Sequence, residues 1–290
     1  MTGTSPADST SARPSRLRRV PRQSALKVLK GVAAVADRAM PRPRGVVVLI
    51  YHRVGGRSGS EVDAPLGLFR QQMEELAAGG RVTTLDDAVT ALRAPVPPDR
   101  DPVVITFDDG TADFCDAAVP VLAELGLPAT LYVATDFVEH QRAFPGDAPP
   151  ASWSGLADAV ATGLVTIGSH TDTHCLLDRT PTPEVKADLD RSIELIGERL
   201  GVEVRHFAYP KAVAPSPAVD ELVRARFVTA ALAGMRPNPY GATDLHRLAR
   251  SPVQTSDGIR WFRRKLEGGM WFEAMAREAL NRRRYAGATH

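Results

Sequence analysis

The chain is poor in cysteine and has no long apolar run. Its 290 residues include two cysteines, Cys115 and Cys175, and neither sits in a Cys-x-x-Cys pattern. A single pair is no disulfide framework, and such usage is compatible with a reducing compartment. No apolar stretch approaches the roughly 20 residues that a membrane-spanning helix needs. A clean secretory signal is missing too. Lys27 and Lys30 interrupt the apolar stretch 25–35 that follows Arg18 and Arg19, whereas a secretory h-region is unbroken. The expected location is therefore cytoplasmic or peripheral at a membrane, with export the less favoured alternative. There is no internal repeat.

What is present is an ordinary globular composition, 43% hydrophobic and 24% charged, enough for one large core and unlike a disordered chain. The net charge of +2 conceals a division. Residues 1–45 carry ten Lys/Arg against two Asp/Glu, or +8, and residues 259–290 carry eight against three, or +5. The body between them is acidic. Basic ends suit nucleic acid or anionic lipid, but solvated tails are the plainer reading. The expectation is no nucleic-acid partner and at most a peripheral membrane contact through the basic ends. The sequence leaves the oligomeric state open.

Residues 1–23, rich in Ser, Thr, Pro and Arg, read as a disordered tail. A short basic amphipathic helix over 24–40 is then broken by Pro41 and Pro43. From Gly45 onward, short apolar strands are expected at 46–51, 103–107, 129–134, 165–168, 204–209, 227–232 and 248–253. Helical patterns lie between them, at 69–78, 115–125, 183–200 and 218–226. Continuous apolar strands alternating with helices indicate a parallel sheet covered by helices. About seven such units fit a closed α/β barrel better than an open sheet. The expected division is a tail and helix over 1–44, a barrel over 45–258, and a basic helical extension over 259–290.

Two segments at strand ends carry the chemistry. In Thr106-Phe107-Asp108-Asp109-Gly110, two carboxylates follow an apolar run. Adjacent side chains in extended backbone point apart, but a turn at Gly110 would bring both toward one cavity. There one would bind a cation and the other would stay free as a base. The competing reading has Asp109 capping a helix that starts at Thr111. In His170-Thr171-Asp172-Thr173-His174, spacing of four would place both imidazoles on one side of a helical turn, as in metal-binding pairs. Ser169, Thr171, Asp172 and Thr173 are nearby candidates to fix their tautomers. Cys175 reads as a small packed residue rather than a ligand.

These two segments resemble the first and second motifs of the NodB-homology polysaccharide deacetylases, carbohydrate esterase family 4. The resemblance runs from about residue 46 to 253. It includes Tyr51-His52-Arg53-Val54, Leu125-Gly126-Leu127-Pro128-Ala129-Thr130 and Phe207-Ala208-Tyr209-Pro210. It implies a distorted (β/α)7 barrel and a divalent metal, commonly zinc. Carried over by position, Asp109, His170 and His174 are the metal ligands and Asp108 is the catalytic base. The implied reaction is hydrolysis of an N-acetyl group on an amino sugar of a polysaccharide or glycolipid, with release of acetate. Rival readings are an amide hydrolase for small non-sugar amides and a catalytically silent carbohydrate-binding barrel.

Several positions depart from the family pattern. The third motif has Ala208 where an arginine is common, Lys211 where an aromatic is common, and Ala212 in place of glycine. The Ala-Tyr-Pro form resembles the branch of poly-N-acetylglucosamine-type exopolysaccharide deacetylases. Without that arginine, Asp108 must be oriented by another group. Lys211 would either bind an acidic sugar or point to solvent. A late Leu-x-His motif usually supplies the general acid, and Leu245-His246 follows Asp244 here. A different alignment instead matches Arg250 to an arginine before the last strand. His52, after the first strand, is the other candidate to face the site. Tyr209 and Pro210 are taken as groove residues. Trp153 reads as groove or core, and Trp261, Phe262, Trp271 and Phe272 as cover for the barrel or a lipid-docking face. Loops 55–66 and 139–150 would set the choice of sugar and linkage.

Overall fold

A computed structural model describes residues 44–270. Seven parallel strands form its centre: β1 Gly45–Tyr51, β2 Val103–Phe107, β3 Ala129–Val133, β4 Val165–Ser169, β5 His206–Ala208, β6 Thr229–Ala231 and β7 Arg250–Pro252. All lie within one residue or a few of the expected segments. β1, Gly-Val-Val-Val-Leu-Ile-Tyr, is buried along its whole length, as a strand covered on both faces must be. In space the order is β7-β1-β2-β3-β4-β5-β6. β1 and β2 run in register from Val47 opposite Val103 to Tyr51 opposite Phe107. The sheet then closes on itself. Leu232 N–H donates to Leu248 O, Leu248 N–H to Ala230 O, and Gly234 N–H to Arg250 O, each at 2.8 to 3.0 Å, joining β6 to the approach of β7. This is the expected distorted seven-stranded α/β barrel.

Strand alternation divides the side chains between two cores. Outward residues such as Leu49, Tyr51, Ile105, Phe107, Leu131, Ile167 and Phe207 pack beneath the helices. Inward residues Val46, Val48, Val104, Tyr132, Ala208 and Leu248 form a second cluster with Leu85, Ala88 and Leu92. The last three belong to a helix, Leu85–Arg93, absent from the sequence expectations. Thr84 caps it, accepting from Asp87 N–H at 3.1 Å. Thr83 N–H bonds Val103 O, which fixes the helix at the N-terminal end of β2. Its apolar face therefore plugs the lower mouth of the barrel.

The outer helices include Leu66–Gly79, Trp153–Ala161, Thr182–Leu200, Pro217–Arg224 and Gly258–Leu266. The expected helix over 115–125 is in two parts, a wide π turn Phe114–Ala118 and a helix Val119–Leu125. Phe262, in Gly258–Leu266, is fully buried against the barrel, and Trp261 packs against Met235 and Met270. The expected N-terminal tail and helix, and Trp271 and Phe272, lie outside the described residues. Among the described residues no helix is long and apolar enough to cross a membrane.

One buried ion pair locks Gly258–Leu266 in place. Lys265 Nζ donates to Asp257 at 2.7 Å and to Pro252 O at 2.6 Å, and both side chains are fully buried. Removing one partner strands the other charge, at a cost of about 3–5 kcal/mol. Asp257→Ala should lower the denaturation midpoint in urea far more than the double variant Asp257→Ala/Lys265→Met.

Candidate active site

The site is built where four strands end at the upper mouth. Asp108 follows β2 and continues its ladder, donating its N–H to Tyr51 O at 3.0 Å. Its side chain points inward and is 3% exposed. Asp109 then adopts left-handed backbone, φ 75°, followed by Gly110 at φ 96°. That reversal begins one residue earlier than the glycine suggested. It turns the second carboxylate to the same cavity as the first. Asp109 caps no helix: the next helical turn begins at Ala112, and its first closing bond runs from Phe114 N–H to Thr111 O.

His170 ends β4. Its Nδ1 lies 2.8 Å from Ala208 O at the end of β5. A carbonyl only accepts, so Nδ1 carries the hydrogen and Nε2 keeps a free lone pair. The tautomer is thus set by a backbone carbonyl and by neither neighbouring hydroxyl: that of Ser169 pairs with Ser192 at 2.8 Å, and that of Thr171 has no partner among the described residues. Residues 170–174 form no helical turn, contrary to the spacing argument. Thr171 (φ 67°) and His174 (φ 61°) both take left-handed backbone, which costs a β-branched residue such as Thr171 most. The loop is held from Thr182–Leu200. Asp188 of that helix accepts from Asp172 N–H at 2.7 Å, Thr173 N–H at 3.0 Å and Thr173 Oγ1 at 2.6 Å. The result brings both imidazoles to one point from a loop.

Asp109, His170 and His174 converge. His170 Nε2 is 3.6 Å and His174 Nε2 3.5 Å from Asp109 Oδ1, and the three potential ligand atoms lie within 4.8 Å of one another. Ligands around a tetrahedral zinc with bonds of ~2.0 Å stand ~3.3 Å apart, so the spacing suits a small divalent cation. The donor set, two imidazoles and a carboxylate, suits zinc and leaves room for exchangeable ligands. Burial pushes the His170 pKa down to about 4, which keeps its ring neutral, as a ligand must be. Burial alone would raise the Asp109 carboxyl. The hydrogen bond from His174 and the charges of the surrounding imidazoles reverse this and hold it well below the usual range.

Asp108 is held by a residue that the sequence reading placed only through an alternative alignment. Arg250, fully buried on β7, grips it with a bidentate fork, Nη1 to Oδ1 at 2.5 Å and Nη2 to Oδ2 at 2.9 Å. Burial pushes the Asp108 carboxyl up, but Arg250 and then His170 outweigh it and leave the pKa lowered. Asp108 is therefore ionised at neutral pH. The signal in the sequence was a single charge inside the apolar stretch 248–253.

The remaining expected residues divide. His52, just past β1, stands near both carboxylates, and its Nδ1 is buried with no partner among the described residues. Pro210 is buried at the end of β5, and Lys211, exposed, sits on the rim in left-handed backbone. Tyr209 is no groove residue. It is fully buried among the outer core residues, and its hydroxyl donates to Asp220 of Pro217–Arg224. Trp153 likewise turns to the helical layer, where its indole N–H donates to Glu139 at 2.8 Å. His246 is also displaced. Its Nε2 bonds Phe227 O at 2.8 Å, before the start of β6 and hence at the opposite end of the barrel. The short turn Leu245–Arg247 belongs to the lower rim, because Leu248 must climb beside β6 to close the sheet. Beside His174, a cleft of about 760 Å³ opens between Asp172, Arg179, Glu184 and Arg191.

Residues 96–229 match the family model described as polysaccharide deacetylase. YxkH of Bacillus subtilis (strain 168), assigned as a polysaccharide deacetylase, is 25% identical over 170 residues, which is 58% of this chain. The match spans 57% of the length of YxkH. Among solved structures, IcaB from Ammonifex degensii is similar with a TM-score of 0.69 and 27% identity, covering 78% of this chain and 98% of that one. The Streptococcus pyogenes deacetylase PplD, solved in complex with acetate, has a TM-score of 0.68 at 19% identity, covering 77% and 99%, and so shares the fold.

The geometry predicts about one tightly held divalent cation per chain in protein purified without chelator. Elemental analysis should find it lost in His170→Ala and His174→Ala, while both variants keep the wild-type circular dichroism spectrum.

Proposed function

We propose that this chain, whose residues 96–229 match the polysaccharide deacetylase family model, is a metal-dependent N-deacetylase of an amino sugar in a polysaccharide or glycolipid. The reading is carried by one observation: the Asp109, His170 and His174 cluster stands beside a second, ionised carboxylate that no expected ligand duty occupies.

In this reading Asp109, His170 and His174 hold the metal. A divalent cation bound there, with zinc the best fit to the donors, supplies Lewis acidity to the amide carbonyl and lowers the pKa of nearby water. Asp108 accepts the proton of the attacking water as its oxygen bonds to the carbonyl carbon. The Arg250 fork makes Asp108 a weak base, so it serves only a water already acidified. It also keeps Asp108 charged and pointed at one place, which is the larger gain in a buried site. When the carbon–nitrogen bond breaks, the sugar nitrogen needs a proton to leave as an amine, and acetate is the other product. His52 is the assigned donor in place of His246, since it borders the carboxylates and has a ring nitrogen with no partner among the described residues.

Asp108→Asn should retain the cation and lose acetate release by about 10²-fold or more. The readout is an acetate assay over N-acetylglucosamine oligomers, peptidoglycan fragments and lipid-linked sugars, with and without chelator. Retained turnover in Asp108→Asn removes it as the base. In the same assay His52→Ala should depress turnover, whereas His246→Ala should leave it intact and cost about 1 kcal/mol of stability through the lost bond to Phe227. The reverse order would return the donor's role to His246.

A further inference from the structure

We propose that Tyr132 is a positioning residue for the reaction, its ring seated opposite Gly168 to hold the Arg250 guanidinium in the plane that fixes Asp108; this rests on Asp108 being the base.

Arg250 is a cation with no exposure to solvent, and its edges are nearly all used. Nε donates to Leu232 O at 3.1 Å, Nη1 to Thr106 Oγ1 at 3.3 Å, and the fork takes both oxygens of Asp108. Thr106 is itself fixed, donating to Leu49 O at 2.7 Å. In-plane bonds of this kind do not stop a planar group from rocking out of its plane. The guanidinium carbon itself lies over the Tyr132 ring, 5.1 Å from its centroid. An aromatic face attracts a desolvated cation without accepting its hydrogen bonds. A carboxylate in that place would compete with Asp108 for the same donors, and an aliphatic side chain would supply no attraction.

The barrel interior is shaped to admit this ring. Tyr132 and Gly168 are cross-strand neighbours on β3 and β4. A Cβ on Gly168 would stand 2.6 Å from Tyr132 Cδ1 and 2.7 Å from His206 O, closer than side chains pack. Gly168 faces inward, two residues before His170, in a strand where glycine weakens the ladder by about 0.5–1 kcal/mol. The missing side chain makes way for the ring. The Tyr132 hydroxyl is buried and has no hydrogen-bond partner among the described residues. The ring is therefore the working part of the side chain, and phenylalanine should replace it.

The test measures acetate release, bound metal and the Arg250 Nε–H resonance in a ¹⁵N spectrum, for the wild-type chain and for Tyr132→Phe, Tyr132→Leu, Gly168→Ala and Asp108→Asn. Tyr132→Phe should keep kcat within about twofold. Tyr132→Leu should lose roughly 10- to 100-fold in kcat, the scale of a small misplacement of a reacting group, with KM and metal content unchanged. Its Arg250 resonance should lose the ring-current shift present in the wild type and in Tyr132→Phe. Gly168→Ala, which crowds the ring and the His206 carbonyl without shortening the ring, should reproduce the kcat loss and covers the case in which Tyr132→Leu does not fold. Wild-type kcat in both Tyr132→Leu and Gly168→Ala, equal losses in Tyr132→Phe and Tyr132→Leu, or a loss shared by KM and metal content would overturn the proposal. If Asp108→Asn stays active, the base assignment falls and the positioning role falls with it. If Asp108→Asn is inactive while Tyr132→Leu is not, only the positioning role falls.

Discussion

The fork between Arg250 and Asp108 is the contact on which the upper half of the barrel depends. Two full charges lie out of water, one on the last strand and one at the end of the second. Either alone would cost several kcal/mol, and together they are tolerable because the geometry is bidentate and two further Arg250 donors go to Leu232 O and Thr106 Oγ1. The pair also links β7 to β2 across β1, which lies between them in the sheet. Closure of the barrel and orientation of the Asp108 carboxylate are therefore the same event. A chain that failed to bring β7 home would have an unpaired Asp108 as well as an open edge.

Around that fork the backbone gives up comfort for convergence. Asp109, Thr171 and His174 all occupy left-handed backbone, a conformation that a non-glycine residue avoids. Asp109 and His174 do so where a side chain turns to the shared cavity, and Thr171 does so where the chain leaves β4. The strain is held by specific partners: Ala134 N–H on Asp109 O, Thr135 N–H on Thr171 O, and the Asp188 carboxylate on two amides of the His loop. Preorganisation of this kind is what the proposed metal site, with two ligands on one loop, would require, since folding rather than the cation must meet the cost of ordering it.

Much of this was legible in the sequence, and the boundary of legibility is physical. Strands covered on both faces write themselves as apolar runs, so residues 103–107 could be placed to the residue. Asp108, Asp109, His170 and His174 were visible because two short motifs stand directly at strand ends. The helix Leu85–Arg93 was missed because its apolar face is short, although Thr84 and Asp87 carried a capping signal. The helical reading of residues 170–174 failed because spacing alone cannot tell a turn of helix from a loop that uses left-handed residues. His246 was misplaced for a related reason. A local Leu-x-His pattern does not say at which end of a strand the chain has arrived, and here it has only begun to climb. Arg250 and Tyr132 act through pairings across the barrel, with partners 142 and 118 positions away in sequence, and no local pattern reports those.

The helix Leu85–Arg93 has a consequence for traffic. With its apolar face set into the lower mouth, the barrel is a vessel with one entrance. On the proposed function, substrate would reach Asp108, and its products would leave, over the upper rim where Lys211 stands exposed. A long chain would then be worked from its flank as it lies across that rim, never drawn through the barrel.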